Sequence, residues 1–443
     1  MKKCRFFVSL LAMMLSIGII LSACGKQTSG QQDSNTGITS KEEQTKEEIV
    51  LTFPHWYFSH GGSFDRWAYE AIDEFMEKNP GIKIDGFPVA YEEYWAKMDI
   101  AIAAGTSNDI MAFGSNVGKY ILNGHLLPLN DYIDMEDFKN NFNDIQNVNI
   151  PQFAPDGKTY IVANVSAYYM PIYRPSVLKK AGWEEFPKSY EEFFKMLGDL
   201  KNIGVTPYAM MTNPGNFNEQ FIDIGIWIIS QGGHWTKDNK PNLDSKEVIQ
   251  AYKMIKELYD AGYIIKDTDK GTYRQMFGSG DVGVLIDGPW VYGQAYTVDP
   301  TVEGDFAVAP IFFTNGKYSA GWEGFSASSK TKYPEICGKL ITFLTSKEQM
   351  QKFMEIVTII PPRTDLFDDA AFKNRILNKY PWMGVFVENA ANVVDNYPHG
   401  IPAERNEEFR KIAGTALERI LYENAEIEST LKQAQEEAMK LLN

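Results

Sequence analysis

Phe277-Gly-Ser-Gly-Asp-Val-Gly-Val-Leu-Ile-Asp-Gly-Pro-Trp290 is the stretch from which the fold can be worked out. Its middle, Val282 to Ile286, is short, β-branched and almost uninterrupted, the pattern of a buried strand. Gly288 and Pro289 end it abruptly, because Pro cannot extend a ladder and Gly permits a sharp turn. Trp290 is thereby delivered to the carboxyl end of a buried strand, where open α/β sheets bind ligands. An arbitrary Trp is more often a core aromatic. Here the turn before it and the small neighbours Gly288 and Gly293 argue for the wall of a crevice.

Upstream of this strand the chain alternates between the two periodicities. Ile49-Val-Leu-Thr-Phe53 reads as a first strand, followed by a loop with His55-Trp-Tyr-Phe58. Phe64, Trp67, Ala68, Ala71, Ile72, Phe75 and Met76 then fall on one helical face, which Asn79-Pro-Gly81 ends. Ile82-Lys-Ile84 starts a second strand, Tyr91 to Ala104 a second helix, and Asp109 to Phe113 a third strand with Gly114-Ser-Asn116 after it. Lys158–Ala163 and Ala167–Tyr173 are further extended pieces. Ser189-Tyr-Glu-Glu192 is a capping box opening a helix. Asp244 to Glu247 opens another, Tyr333 to Thr345 is helical, and Leu431, Ala434, Ala438 and Leu441 keep helical spacing to the end. Strand and helix alternate, so an α/β fold with a largely parallel, helix-covered sheet is expected.

The first residues form an address. Lys2, Lys3 and Arg5 precede an apolar run from Phe6 to Ala23, and the run ends in Leu21-Ser-Ala-Cys24-Gly25. A basic start, an apolar middle and small residues before a cut make an export signal over 1–23, in preference to a membrane-spanning anchor. Gly25 to Glu48 is polar, with Ile38 its only large apolar residue, so it cannot offset its own ordering entropy. Residues 24–48 are therefore expected to be a tether, spanning about 25–30 Å. Of three cysteines, Cys4 leaves with the signal and Cys24 lies at the cut, so Cys337 is alone and no disulfide forms within the mature chain. Cys337 falls among Ile336, Ile341 and Leu344 and reads as a buried, inert thiol.

About 395 residues remain, enough for two domains with proper cores. A formal net charge of −15 with no sustained basic run after the signal makes nucleic acid an unsuitable partner. The five histidines form no ligand-spaced cluster, and neither Gly-x-Ser-x-Gly nor His-Glu-x-x-His occurs. Asp267-Thr-Asp-Lys-Gly271 has some features of a calcium loop, but Thr272 stands where an EF-hand needs its turn glycine, so a solvated turn is expected. Neither a metal nor a cofactor is expected.

The pattern Gly280-x-Val-Gly-Val-x-Ile-Asp-Gly-Pro-Trp290, followed by Gly321-Trp-Glu-Gly-Phe-Ser-Ala-Ser328 and a helix, resembles the maltose-binding-protein-like solute-binding lipoproteins of bacterial ABC importers. Ala103–Met111, Asp156-Gly-Lys-Thr-Tyr160, Tyr173–Gly182 and 327–349 resemble that family's blocks, in the family's order. Leu-Ser-Ala-Cys-Gly resembles the lipoprotein box, whose cysteine is acylated, with palmitate-type chains. The resemblance implies two α/β lobes joined by crossovers, with a hinge and a cleft between. The first lobe is expected at 49–163 plus 323–385 and the second at 167–317 plus 398–443. It also implies a monomer tethered by Cys24 to the outer face of a Gram-positive cell membrane. That protein would capture a carbohydrate, expected to be an oligosaccharide, and deliver it to ABC permease subunits. Two departures stand out: Tyr173-Arg-Pro175 where the family commonly has Tyr-Asn-Lys, and Phe113 where it often has Trp.

A sugar is polar at its hydroxyls and flat on its C–H faces, so its site needs aromatic planes and a few fixed hydrogen-bonding groups. The loops at strand ends supply His55, Trp56, Tyr57, Phe113, Ser115, Asn116, Tyr168, Tyr169, Asp287, Trp290, Trp322 and Glu323. The resemblance favours Trp290, then Trp322 and Phe113, as platforms, and Asn116, Asp287 and Glu323 as polar readers. An Asp after a strand also commonly just caps a turn. Trp227, Trp235 and Trp382 fit core or rim equally, and Arg363 fits a surface salt bridge better than a ligand contact. One other class remains open on composition, a secreted carbohydrate-active hydrolase using a carboxylate pair, since 58 Asp and Glu always allow one; a surface adhesin fits the lipid anchor but not a hinged two-lobe α/β body.

Overall fold

The computed structural model describes residues 48–443 apart from 60–61, 144 and 312–316. The export signal, Cys24 and nearly all of the tether therefore lie outside the described residues. Among the described residues no helix is long and apolar enough to cross a membrane.

The first half is built around strand Ile49–His55, which pairs in parallel with Ile82–Pro88. Helix Ser63–Lys78 connects them and buries Phe64, Trp67, Ala68, Ala71, Ile72 and Phe75, the face that the spacing predicted. Strand Ile110–Phe113 is buried throughout. It is fastened to the first strand by Asp109, whose carboxylate accepts the Thr52 amide and hydroxyl, each at 2.9 Å. Strand Tyr318–Ala327 then runs antiparallel to Ile110–Phe113 and to Val162–Tyr168, and parallel to Val393–Asp395.

The second half has its own sheet, ordered 307–308, 170–173, 282–287 and 206–209. Strand Val282–Asp287 is central and all six residues are buried, as its β-branched run required. It is antiparallel to Met170–Tyr173 and parallel to Thr206–Ala209. Helices Tyr190–Asn202, Phe217–Ser230, Lys246–Asp260 and Asn406–Tyr422 belong to this half. Ser189 caps the first of them by accepting the Glu192 amide at 3.1 Å, but Glu192 returns its bond to the Lys188 amide rather than to Ser189. The cap of helix 246–260 is Ser245, one residue beyond Asp244.

The expectation of largely parallel sheets is corrected: among the described residues five of the eight strand pairs are antiparallel. The reason lies in the connections between halves. The chain leaves the first sheet at Tyr168 and enters the second at Met170, with only Tyr169 between. It returns through strand Tyr318–Ala327. Strands that pass between sheets enter each against the direction set by its βα units. Trp227, Trp235 and Trp382 are core residues, as is Cys337, whose thiol burial pushes up to about 12. Arg363 is 7% exposed and so is no surface group: it pairs with Asp137 and Asp365 at 2.7 and 2.8 Å.

Candidate functional site

Trp290 follows the buried strand through the turn at Gly288-Pro289 and stands at the start of helix Val291–Val298. Its indole folds back over Gly288, where a Cβ would lie 2.2 Å from the ring. Only glycine leaves room for that approach. The ring is half-buried, meets Tyr169 edge-on at 5.8 Å, and has the Arg274 guanidinium over it at 5.8 Å. Asp287 fixes Arg274 with both oxygens, at 2.8 and 3.0 Å, and also accepts the Gly288 amide at 2.8 Å. Asp287 is thus a holder of Arg274 and of the turn, with each oxygen already engaged.

Beside these, Lys270 lies between Glu219 and Asp223, both at 2.8 Å. Burial would push its ammonium down, but Asp223 and Glu219 outweigh burial and hold it well above its ordinary value. Burial raises the Asp223 carboxyl despite Lys270, whereas Glu219 is lowered because Lys270 and Arg274 outweigh its burial.

The first half contributes the facing groups. Tyr91 and Trp95 lie on helix Tyr91–Ala103, half-buried, with Tyr91 edge-on to Trp56 at 5.2 Å. Burial raises the Tyr91 phenol far up, and Glu219, Glu323 and Tyr169 add to the shift, so groups of both halves act on this one ring. Glu323 sits at a register shift in strand Tyr318–Ala327, half-buried, and accepts the Tyr57 hydroxyl at 3.4 Å. Asn164 in turn donates to that hydroxyl at 3.1 Å. Burial pushes the Glu323 carboxyl up to about 7, against the lowering effect of Tyr57. Tyr169, at the crossover, places its hydroxyl 3.6 Å from the Cβ position of Gly321. Ser115 accepts from Arg410 of the second half at 3.2 Å. Asn116 turns back to accept the Gly114 amide at 3.4 Å.

Several of the expected contact residues are covered by packing. Phe113 is 0% exposed, stacked on Trp95 and tilted against Tyr120, so it is no free platform. His55, Trp56, Tyr57 and Tyr168 are each no more than 2% exposed. These rings are covered on all sides. His55 Nδ1 accepts the Tyr57 amide, and Tyr168 accepts from Asn143 at 3.2 Å. The aromatic loop 55–58 is stapled under helix 91–103 through Trp56, and the Tyr57 hydroxyl reaches Glu323 of the site. Trp322 is 6% exposed and packs on Phe153. The structure brings Trp290, Tyr169, Glu323 and Ser115 towards one another, and adds Tyr91, Trp95, Lys270, Arg274 and Arg410. The sequence signal for Tyr91 and Trp95 was present as aromatics in the first turn of a helix that follows a strand end. Arg410 had none, since it lies off the apolar face of an amphipathic helix far along the chain.

Comparison with known proteins identifies the family and the fold. Residues 70–379 match the model of the bacterial extracellular solute-binding protein family. The multiple sugar-binding protein of Streptococcus mutans is 23% identical over 375 residues, 79% of this chain and 80% of that protein. The maltodextrin-binding protein of Bacillus subtilis is 21% identical over 371 residues, 81% of this chain and 80% of that one. A solved ABC-transporter solute-binding protein from Thermotoga lettingae, bound with α-D-tagatose, superposes with a TM-score of 0.76 at 19% identity, covering 89% of this chain and all of that one.

Proposed function

We infer, given that this chain belongs to the family of bacterial extracellular solute-binding proteins, that it captures a carbohydrate between its two lobes for an ABC importer. The observation that carries the substrate class is the pairing of half-buried aromatic faces (Trp290 with Tyr169, Trp95 with Tyr91) with the Glu323 carboxyl among them. Aromatic planes suit the C–H faces of a sugar ring, and a buried acceptor suits its hydroxyls. In this reading Trp290 is the main platform, Trp95 takes the place expected of Phe113, and Glu323 reads hydroxyls. Asp287 acts through Arg274. The relatives named for multiple sugars and maltodextrin support a saccharide ligand.

The lobes in this reading are 49–163 plus 323–385 and 167–317 plus 398–443, closing about the crossovers when ligand bridges them. The mature protein is a monomer held by an acylated Cys24 outside the cytoplasm, on the outer membrane face, and the loaded form docks on a separate permease. It performs no hydrolysis. A saccharide panel read by thermal shift, by sugar analysis and by scattering tests this. The expected result is a raised melting temperature with the sugar recovered intact and a fall in radius of gyration. New sugar products would establish the hydrolase instead, and no shift with any saccharide would remove carbohydrate as the ligand.

A further inference from the structure

Contact ion pairing across the site leaves one cation without a carboxylate of its own. Lys270 has two carboxylates at 2.8 Å, and Arg274 has both oxygens of Asp287. The deeply buried arginines elsewhere are answered in the same way: Arg174 by Asp299 and Asp305, and Arg363 by Asp137 and Asp365. Arg410 differs. Among the described residues it has no carboxylate within the 4.0 Å of an ion pair. Its contacts are neutral: Nε donates to Asn406 at 3.2 Å, one terminal nitrogen to Asn218, and the other to Ser115 at 3.2 Å, while the plane lies over Phe221 at 4.9 Å. A guanidinium has five N–H donors, so two are left over.

The position of Arg410 matters as much as its lack of a partner. It stands where helix Asn406–Tyr422 meets the loop after strand Ile110–Phe113, within electrostatic reach of Tyr91 and Glu219. Burial pulls its pKa below the ordinary arginine value, and Tyr397, Glu219, Tyr91 and Glu407 counter this only in part. A half-buried cation held by dipoles, with its nearest carboxylates beyond ion-pair contact, is under-compensated in the unliganded protein. A ligand anion would relieve it.

We propose that the ligand supplies the contact partner Arg410 lacks: the site takes a saccharide bearing a hexuronate carboxylate, held by the free donors of Arg410. The inference rests on the carbohydrate reading above and narrows it. A planar carboxylate matches a guanidinium fork better than a point charge does. Glu323, part-neutral at pH 7, is left to read hydroxyls on the remainder of the ligand.

The test uses matched pairs of disaccharides of one linkage, each neutral sugar beside its uronate counterpart, together with hexose 6-phosphates. Calorimetry on the parent protein should show, in at least one pair, the uronate binding about tenfold or more tighter than the neutral sugar, the scale of one charge-assisted hydrogen bond. Arg410→Gln should bring that ratio close to one, and Arg410→Lys should keep only part of it, since a point charge replaces the fork. The proposal is overturned if neutral sugars bind as well as their uronates in every pair, if phosphates are preferred, or if the preference survives in Arg410→Gln. The comparison on the parent decides even where a variant folds poorly. If neither neutral nor acidic sugars bind, the carbohydrate reading itself falls, and this inference with it.

Discussion

Gly288→Ala should weaken ligand binding while leaving the protein folded. A Cβ at this position would stand 2.2, 2.3 and 2.4 Å from Cη2, Cζ3 and Cζ2 of Trp290, where ordinary contact begins at 3.4 Å. The indole must therefore retreat by about 1.2 Å, the difference between 3.4 and 2.2 Å. Backbone strain does not enter, because Gly288 is not among the positive-φ glycines. The ring is the far end of a side chain with room to turn, so the stability loss is that of an off-rotamer side chain, about 0.5–1.5 kcal/mol. Binding suffers more. A gap of 0.5–1 Å forfeits roughly a quarter to a half of each dispersion contact, and an aromatic hot spot is worth about 2–4 kcal/mol. A loss of about 1–2 kcal/mol follows, roughly five- to thirtyfold in affinity. Trp290→Ala should lose the whole of that, about thirty- to a thousandfold. Its free-protein stability should fall by less than the ~3–5 kcal/mol of a truncated core Trp, since the ring is only half-buried. Calorimetric titration with urea denaturation of both variants measures the two quantities. Unchanged affinity in Gly288→Ala, with near-normal affinity and a collapsed midpoint in Trp290→Ala, would make the indole a core residue and refute the platform.

Three further outcomes are expected. The Glu323 carboxyl has its folded pKa raised from 4.5 to about 7, so its contribution to stability is present below pH 4.5 and lost as pH rises towards 7. Glu323→Gln should remove that decline, at most about 3 kcal/mol, in denaturation midpoints from pH 4.5 to 7.5; Asp223 shifts the same way, and only an unchanged slope in the variant counts against Glu323. Arg363→Ala leaves Asp137 and Asp365 without their buried partner and should cost about 3–5 kcal/mol in urea denaturation; a loss under ~1 kcal/mol would place it with surface pairs after all. Cys24→Ser should release the protein into the medium or leave it as uncleaved precursor, its purified body still binding ligand, and detergent partitioning that matches the parent after signal cleavage would remove the acyl anchor.

The sequence by itself determined what local pattern can encode. Val282 to Ile286 could only be a buried strand, Gly288-Pro289 could only end it, and the spacing from Phe64 to Phe75 named the buried face of its helix before any contact was known. Strung together, these elements fixed the α/β class and brought Trp290 to a strand end. Tertiary structure decided which polar and aromatic groups face one another. His55, Trp56, Tyr57 and Phe113 had the composition of a sugar wall, yet Tyr94 and Trp95, some 40 residues on from the first of them, pack on His55, Trp56 and Phe113, and Phe64, Trp67 and Phe353 enclose Tyr57. Asp287, expected as a reader, is buried and bound by Arg274 through both oxygens. Lys270 and Arg410, 140 residues apart, come near Glu219 and Tyr91 only because separate helices converge. The physical reason is the range of the forces. Periodicity and turn chemistry act over a few residues and are written in order along the chain, whereas burial and charge pairing depend on distances in space that only the packed lobes set.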